Sequence, residues 1–293
     1  GSFLAQFAKR TRTIALPYVL WSLFGLALYA LLQWPSTWRA FFPHNPVWGL
    51  SPMEVLEKLL IHPIPYQLWF LRDLMVLFAL APLIFHTLRW LGIWTLAIPF
   101  ITWSLEVDLV ILANESLPFF TAGAWLALGG PTREPSLGRR TRLAIVASWF
   151  LLVLVKTAVV IFHSVDPEML KQIHHLAVLH GLIAVWVGYD LVVKGRDMSN
   201  SLLARLAPHG FFLYAAHEPL LTLIKQGLFL YLGRTPLREL LVYSVAPILA
   251  MTVVFMIGRT LMEYAPRFYG LLTGGRGMPA IKRSLPLHAR VAA

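Results

Sequence analysis

The stretch LAIVASWFLLVLVKTAVVIF, residues 143–162, decides the class of this chain. A helix rising about 1.5 Å per residue needs on the order of 20 residues to cross ~30 Å of hydrocarbon, and this stretch supplies them with Lys156 as its one ionisable side chain. Seven further apolar stretches surround it, at roughly 14–33, 67–88, 91–112, 117–130, 174–193, 211–232 and 239–262, the fourth of these being the shortest. In lipid the backbone must satisfy its own hydrogen bonds, so each is expected to be helical. The reading is an all-α, polytopic transmembrane helical bundle of about eight spans.

Loop charge orients the bundle. Most of the 25 Lys and Arg fall on one side of an eight-span arrangement, among them Lys9, Arg10, Arg12, Arg89, Arg139, Arg140, Arg142, Lys194, Arg196, Arg205, Arg259 and Arg276. Most of the 14 acidic residues fall on the other, including Glu54, Glu57, Glu106, Asp108, Asp166 and Glu168. The positive-inside rule then places both termini in the cytoplasm, in a multi-pass protein of the cytoplasmic membrane. The net charge of +11 is mostly this loop excess and does not call for nucleic acid. With no cysteine there is no disulfide, thiolate nucleophile or sulfur ligand. No cleavable signal peptide is visible ahead of the first span.

Outside the spans, residues 34–66 are rich in Trp, Pro and His. Within them Ser51-Pro52-Met53-Glu54 reads as an N-cap, a first-turn proline and a capping-box glutamate. Val55, Leu56, Leu59 and Leu60 then share one face, so a short helix lying at the membrane interface is expected. The basic loop 131–142 is turn-forming. Residues 273–293 open on Thr273-Gly274-Gly275-Arg276-Gly277 and read as a basic, disordered cytoplasmic tail, leaving 1–272 as one transmembrane domain.

Two motifs carry chemistry. In Gln67-Leu68-Trp69-Phe70-Leu71-Arg72-Asp73-Leu74 the adjacent charges of Arg72 and Asp73 lie about two turns into a span, where charges face a polar cavity or pair. An interfacial Arg with a belt Trp is the plainer alternative. In Phe212-Leu213-Tyr214-Ala215-Ala216-His217-Glu218-Pro219 the proline cannot donate a hydrogen bond and displaces the carbonyl of Ala215, so a kink is expected. Tyr214 and His217 are three apart on one face. Together with Glu218 they form a polar site, or His217 simply bonds a neighbouring helix. His174, His175 and His180 lack the four-residue spacing of a helical metal site, and no metal is expected.

At these residues the chain resembles the acyltransferase-3 family. Leu68-Trp69-Phe70-Leu71 with Leu74 and Pro82 is similar to the family's "LWFL" helix. Phe212 to Pro219 is similar to its late "IYLxHxP" helix. Phe3-Leu4, Lys9-Arg10-Thr11-Arg12, Pro17-Tyr18 and Trp21 are similar to its basic approach to a span. The resemblance runs over nearly the whole chain and implies an integral membrane O-acyltransferase. Such enzymes move acetyl, succinyl or related groups from cytoplasmic acyl-CoA, acetyl-CoA first among them, to a hydroxyl of an envelope glycan or lipid.

The resemblance also implies roles. Lys9, Arg10 and Arg12 would hold the donor's phosphates, and Trp69, Arg72, Asp73 and Glu218 would line the substrate cavity. With the family's usual base missing from this chain, His217 with Tyr214 is the expected catalytic pair, although the family counterpart of His217 is more often supportive. Several positions depart from the family pattern. Relatives have about ten spans, and an early Arg is followed some eleven residues later by the presumed catalytic His, a spacing absent here. Gln67 stands where many relatives have His, and Thr13 where a second Arg is expected. An N-terminal hairpin carrying that His is therefore expected to be missing from this chain. Two other classes stay open. A small-solute or lipid-linked-sugar transporter would use helices broken at Pro82, Pro99, Pro219 and Pro247, and a non-catalytic membrane partner would keep only the fold.

Overall fold

A computed structural model describes residues 7, 9–42, 45–107, 109, 111–129, 137–162 and 165–277. The expected loop 131–142 and the tail beyond residue 277 fall largely outside them, as do Phe3, Leu4 and Asp108. A π-helical turn, Thr11–Ala15, leads into α1 (Leu16–Leu32). There follow α2 (Pro52–Leu60), α3 (Trp69–Leu91), α4 (Ala97–Ser104), α5 (Ser116–Gly129), α6 (Arg139–Phe162) and α7 (Pro167–Val193). The series closes with α8 (Leu202–Leu206), α9 (Gly210–Leu232), α10 (Pro236–Tyr264) and α11 (Pro266–Thr273). No β-strand occurs among the described residues.

Five helical segments among them are long and apolar enough to cross a bilayer: Thr11–Leu32, Tyr66–Ser104, Arg139–Val160, Pro167–Val193 and Pro236–Tyr264. Large side chains such as Trp90, Trp94, Ile98 and Trp186 point outward from these segments, as a lipid-facing surface requires. The protein is a helical, multi-pass membrane bundle. The stretch expected to span at 91–112 differs in detail. It is 3-10 helical from Gly92 and α-helical only to Ser104, and Glu106 then takes a positive φ of 50°. Such a backbone does not continue a helix.

The chain divides into two compact units, residues 1–80 with 205–293, and residues 81–204. In the first, Ile14, Tyr18, Trp21, Leu68, Phe212, Val254 and Tyr269 form the buried core. Trp21 packs edge-on against Phe212, with ring centres 5.5 Å apart, and Phe212 stacks on Tyr269 at 5.4 Å. The polar tips of this core are satisfied by backbone. Tyr18 Oη donates to Leu60 O at 2.9 Å and Trp21 Nε1 to Leu272 O at 3.0 Å.

The capping box at α2 forms as its sequence dictates. Glu54 N–H donates to Ser51 Oγ, and Ser51 N–H to Glu54 Oε2 at 2.7 Å. The bond from the Ser51 amide, then the Ser51 side chain, holds the Glu54 carboxyl below its ordinary range. Leu56 and Leu60 stay exposed, as a helix resting on a bilayer surface would leave them. The chain after α2 then runs close along α1. A Cβ on Gly25 would sit 2.3 Å from Pro65 Cγ, so glycine is what permits this approach.

In the second unit α6 and α7 pack as an antiparallel pair. Trp149 Nε1 donates to Ala177 O at 3.2 Å, and Gly181 gives the indole room, since a Cβ there would meet Nε1 at 2.8 Å. Arg142 bonds Asp190 at 3.1 Å, and Lys156 bonds His174 Nδ1 at 2.8 Å. Lys171 joins α7 to Glu106 at 3.2 Å.

Candidate functional site

The break in α9 is where local sequence chemistry becomes a site. Glu218 leaves helical geometry at φ −95° and ψ 139°, and the Glu218–Pro219 peptide is cis. Pro219 has no N–H to offer, so the carbonyl of Ala215 loses its helical donor. Gln67 replaces it. Its Nε2 donates to Ala215 O at 3.0 Å and lies 3.3 Å from Glu218 O. Tyr214 Oη donates in turn to Gln67 O, so Gln67 is held by α9 through both its amide and its backbone. Gln67 Oε1 is buried with no partner among the described residues.

Beside this joint lies a cavity of about 380 Å³ whose wall includes Tyr29, Lys58, His62, Trp69, Arg72, Glu218 and Thr222. Three of the expected cavity residues, Trp69, Arg72 and Glu218, line it directly. Asp73 stands behind Arg72, 1% exposed, and receives Nε at 2.9 Å and Nη2 at 2.7 Å on one oxygen. Arg72 Nη1 donates to Ile61 O at 2.6 Å, just past the C-terminus of α2, where the helix dipole favours a cation. These bonds fix the guanidinium in place. Glu218 is itself buried, 4% exposed, and accepts from Thr222 Oγ1 at 2.8 Å.

The two expected catalytic residues are placed differently. Tyr214 and His217 do not line this cavity. His217 Nδ1 lies 2.8 Å from Tyr214 O and 3.2 Å from Leu213 O. Carbonyls only accept, so Nδ1 carries a proton, and in the neutral ring the lone pair is then on Nε2. Lys58, His62, Tyr29 and Thr222 were not singled out from the sequence. Lys58 and His62 lie four apart at the end of an amphipathic helix, and that spacing was the available signal.

Lys9, Arg10 and Arg12 are exposed at the start of the first helical segment, and none lines the cavity. None forms an ion pair among the described residues. The Arg10 guanidinium lies 5.8 Å from the Phe78 ring centre. Tyr18, whose hydroxyl meets the end of α2, follows Arg10 by about 12 Å at the usual helical rise.

A multi-pass helical bundle with a buried ion pair and a buried carboxylate at an internal cavity is the class these features define. Comparison with known proteins makes it more specific. The family model described as an acyltransferase domain matches residues 2–259, and the chain belongs to this acyltransferase-3 family. It is similar to the succinoglycan biosynthesis protein ExoH of Rhizobium meliloti (strain 1021), with 27% identity over 281 residues, covering 91% of this chain and 71% of that protein. No solved structure matches the chain.

Proposed function

We propose that this protein transfers an acetyl or similar acyl group from cytoplasmic acyl-CoA to a hydroxyl of an envelope glycan, from within the cytoplasmic membrane and with both termini in the cytoplasm. The observation that carries this reading is the polar cavity at the α9 break, whose wall residue Arg72 lies about 9 Å along α3 from Phe78, the ring beside the exposed guanidinium of Arg10. A pantetheine arm can bridge that separation. Donor phosphates held at Lys9, Arg10 and Arg12 would then place the thioester near the cavity. The relative's part in succinoglycan biosynthesis favours a glycan over a lipid acceptor.

In the transfer, the acceptor oxygen attacks the thioester carbonyl as its proton passes to a base. A C–O bond forms, the C–S bond breaks, and the CoA thiolate leaves and takes up a proton. Glu218 is the buried base-competent group that faces the cavity, His62 is a more exposed one in the same wall, and the Nε2 of His217 is the neighbouring one. Arg72, held rigid by Asp73 and Ile61 O, is placed to stabilise negative charge on the carbonyl oxygen. Trp69 packs against the acceptor.

The test is saturable binding of acetyl-CoA to the purified protein in detergent, followed by transfer of labelled acetyl to a glycan. Arg10→Ala/Arg12→Ala is expected to abolish binding. Glu218→Gln is expected to keep binding and lower transfer by about a hundredfold or more. Absence of saturable acetyl-CoA binding would defeat the proposal. Full activity in Glu218→Gln, with loss in His217→Ala, would move the base to His217.

A further inference from the structure

The segment Thr273-Gly274-Gly275-Arg276-Gly277 reads in sequence as the opening of a loose basic tail, yet it is packed into the first unit. α11 ends at Thr273, which is fully buried. The chain then turns through Gly274, Gly275 and Gly277, all at positive φ, between 63° and 79°. Two of these glycines are also sites of backbone contact. A Cβ on Gly274 would lie 2.3 Å from the Thr13 carbonyl oxygen, and one on Gly277 would lie 1.9 Å from that of Pro208. Only glycine fits both positions.

The turn determines where Arg276 lands. Its Nη1 donates to Thr13 O at 2.6 Å and to Thr273 O at 3.0 Å. Its guanidinium carbon lies 4.4 Å from the centre of the Phe211 ring, a cation–π distance. Nε and Nη2 have no hydrogen-bond partner among the described residues. Thr13, whose carbonyl Arg276 grips, donates its own hydroxyl to Arg10 O one turn back, so Arg276 is anchored one helical turn from Arg10. Burial first, and the Arg10 charge second, push the Arg276 guanidinium below its ordinary range. Neither arginine has a carboxylate partner among the described residues. An arginine fixed by a rigid turn one helical turn from a second arginine, with donors left over, suits a polyanion.

We propose that Arg276, presented by the Gly274–Gly277 turn, joins Arg10 in binding the phosphates of the acyl-CoA donor. This rests on the donor assigned under the proposed function and adds a binding residue from the far end of the chain. Thr13, where a second arginine is expected, then contributes its carbonyl as the anchor for an arginine supplied from position 276.

The experiment uses the full chain in detergent with two probes, acetyl-CoA and inorganic pyrophosphate. Arg276→Ala is expected to weaken both by at least tenfold, and Arg276→Lys, which keeps the charge without the planar fork, by less. A thermal melt of each variant runs beside the titration. On the unaltered protein, both probes are expected to slow modification of Arg276 by phenylglyoxal, read by peptide mass spectrometry; this needs no variant to fold. If acetyl-CoA binds and Arg10→Ala weakens it, while Arg276→Ala binds normally and the label is not slowed, the role of Arg276 is overturned and the donor reading stands. If pyrophosphate binds and protects Arg276 but acetyl-CoA does neither, the donor is wrong as the ligand, and the proposed function falls with it.

Discussion

The α9 break and the α6–α7 pair use the same residue types to opposite ends. Each contains a buried or half-buried Arg–Asp pair, a histidine and an indole. In α6 and α7 both backbones are regular, and most polar groups are matched across the pair, Arg142 with Asp190, Lys156 with His174 and Trp149 with Ala177 O; His175 Nδ1 is buried without a partner among the described residues. At the α9 break the backbone is interrupted, the freed Ala215 carbonyl is answered by a side chain from another element, and the Glu218 carboxylate faces a cavity. The larger hollow is the less chemical one. A groove of about 1000 Å³ runs along α6 and α7, walled mainly by apolar side chains such as Val153, Leu182 and Val185, against about 380 Å³ at the break. Polar residues in a membrane helix mark a site where regular geometry leaves them unmatched; otherwise they hold helices together.

That contrast is breakable, most strongly at its two ion pairs. Asp73→Asn leaves Arg72 charged in a pocket where the pair is 11% and 1% exposed, and should cost about 3–5 kcal/mol. Asp190→Asn, in a pair where both partners are 18% exposed, should cost less than about 2 kcal/mol. Equal losses in chemical denaturation of the two variants would remove the distinction between site and scaffold.

Next in size is Gln67→Ala. It strips the donor from Ala215 O and Glu218 O and should cost about 1–3 kcal/mol. The proposed acyl transfer should fall further than stability does, because the break itself loosens. A matched drop in transfer and in folded fraction would make Gln67 purely structural. Gly181→Ala is the counterpart in the other unit. Its methyl displaces Trp149 and should cost on the order of 1 kcal/mol, with transfer unchanged below the new melting temperature.

The smallest effect belongs to α2. Glu54 titrates below its ordinary value in the folded state, so its contribution is present above the unfolded pKa and is lost as pH falls through the folded one. Glu54→Gln should therefore melt slightly below the unaltered protein at pH 7. The gap should close toward pH 3, and a constant gap would show that the carboxylate is not what caps the helix.

Elements built from neighbours in sequence were legible in advance. The capping box needs only Ser51 and Glu54, three apart, and the break in α9 needs only Pro219 and the carbonyl four residues before it. The stretch 91–112 reads as one span because most of it is apolar, yet the chain leaves the helix at Ser104 and Lys171 draws Glu106 to α7. Expected site residues Trp69, Arg72, Asp73 and Glu218 do meet at one cavity or directly behind it. His217 looked the best base by residue type, and its place relative to the cavity has no signature in the sequence.

The sequence by itself determined that this chain is a helical membrane bundle, and where the α2 cap and the α9 break fall, because hydrophobic transfer and backbone hydrogen bonding act over a few consecutive residues. Membership of the acyltransferase-3 family was likewise legible in its motifs. Only the tertiary structure decided which donor answers the carbonyl freed by Pro219, and that Arg276 reaches back to Thr13. Those pairings join residues 148 and 263 positions apart. Contacts at such separation depend on how helices pack, a property that no local window of sequence contains.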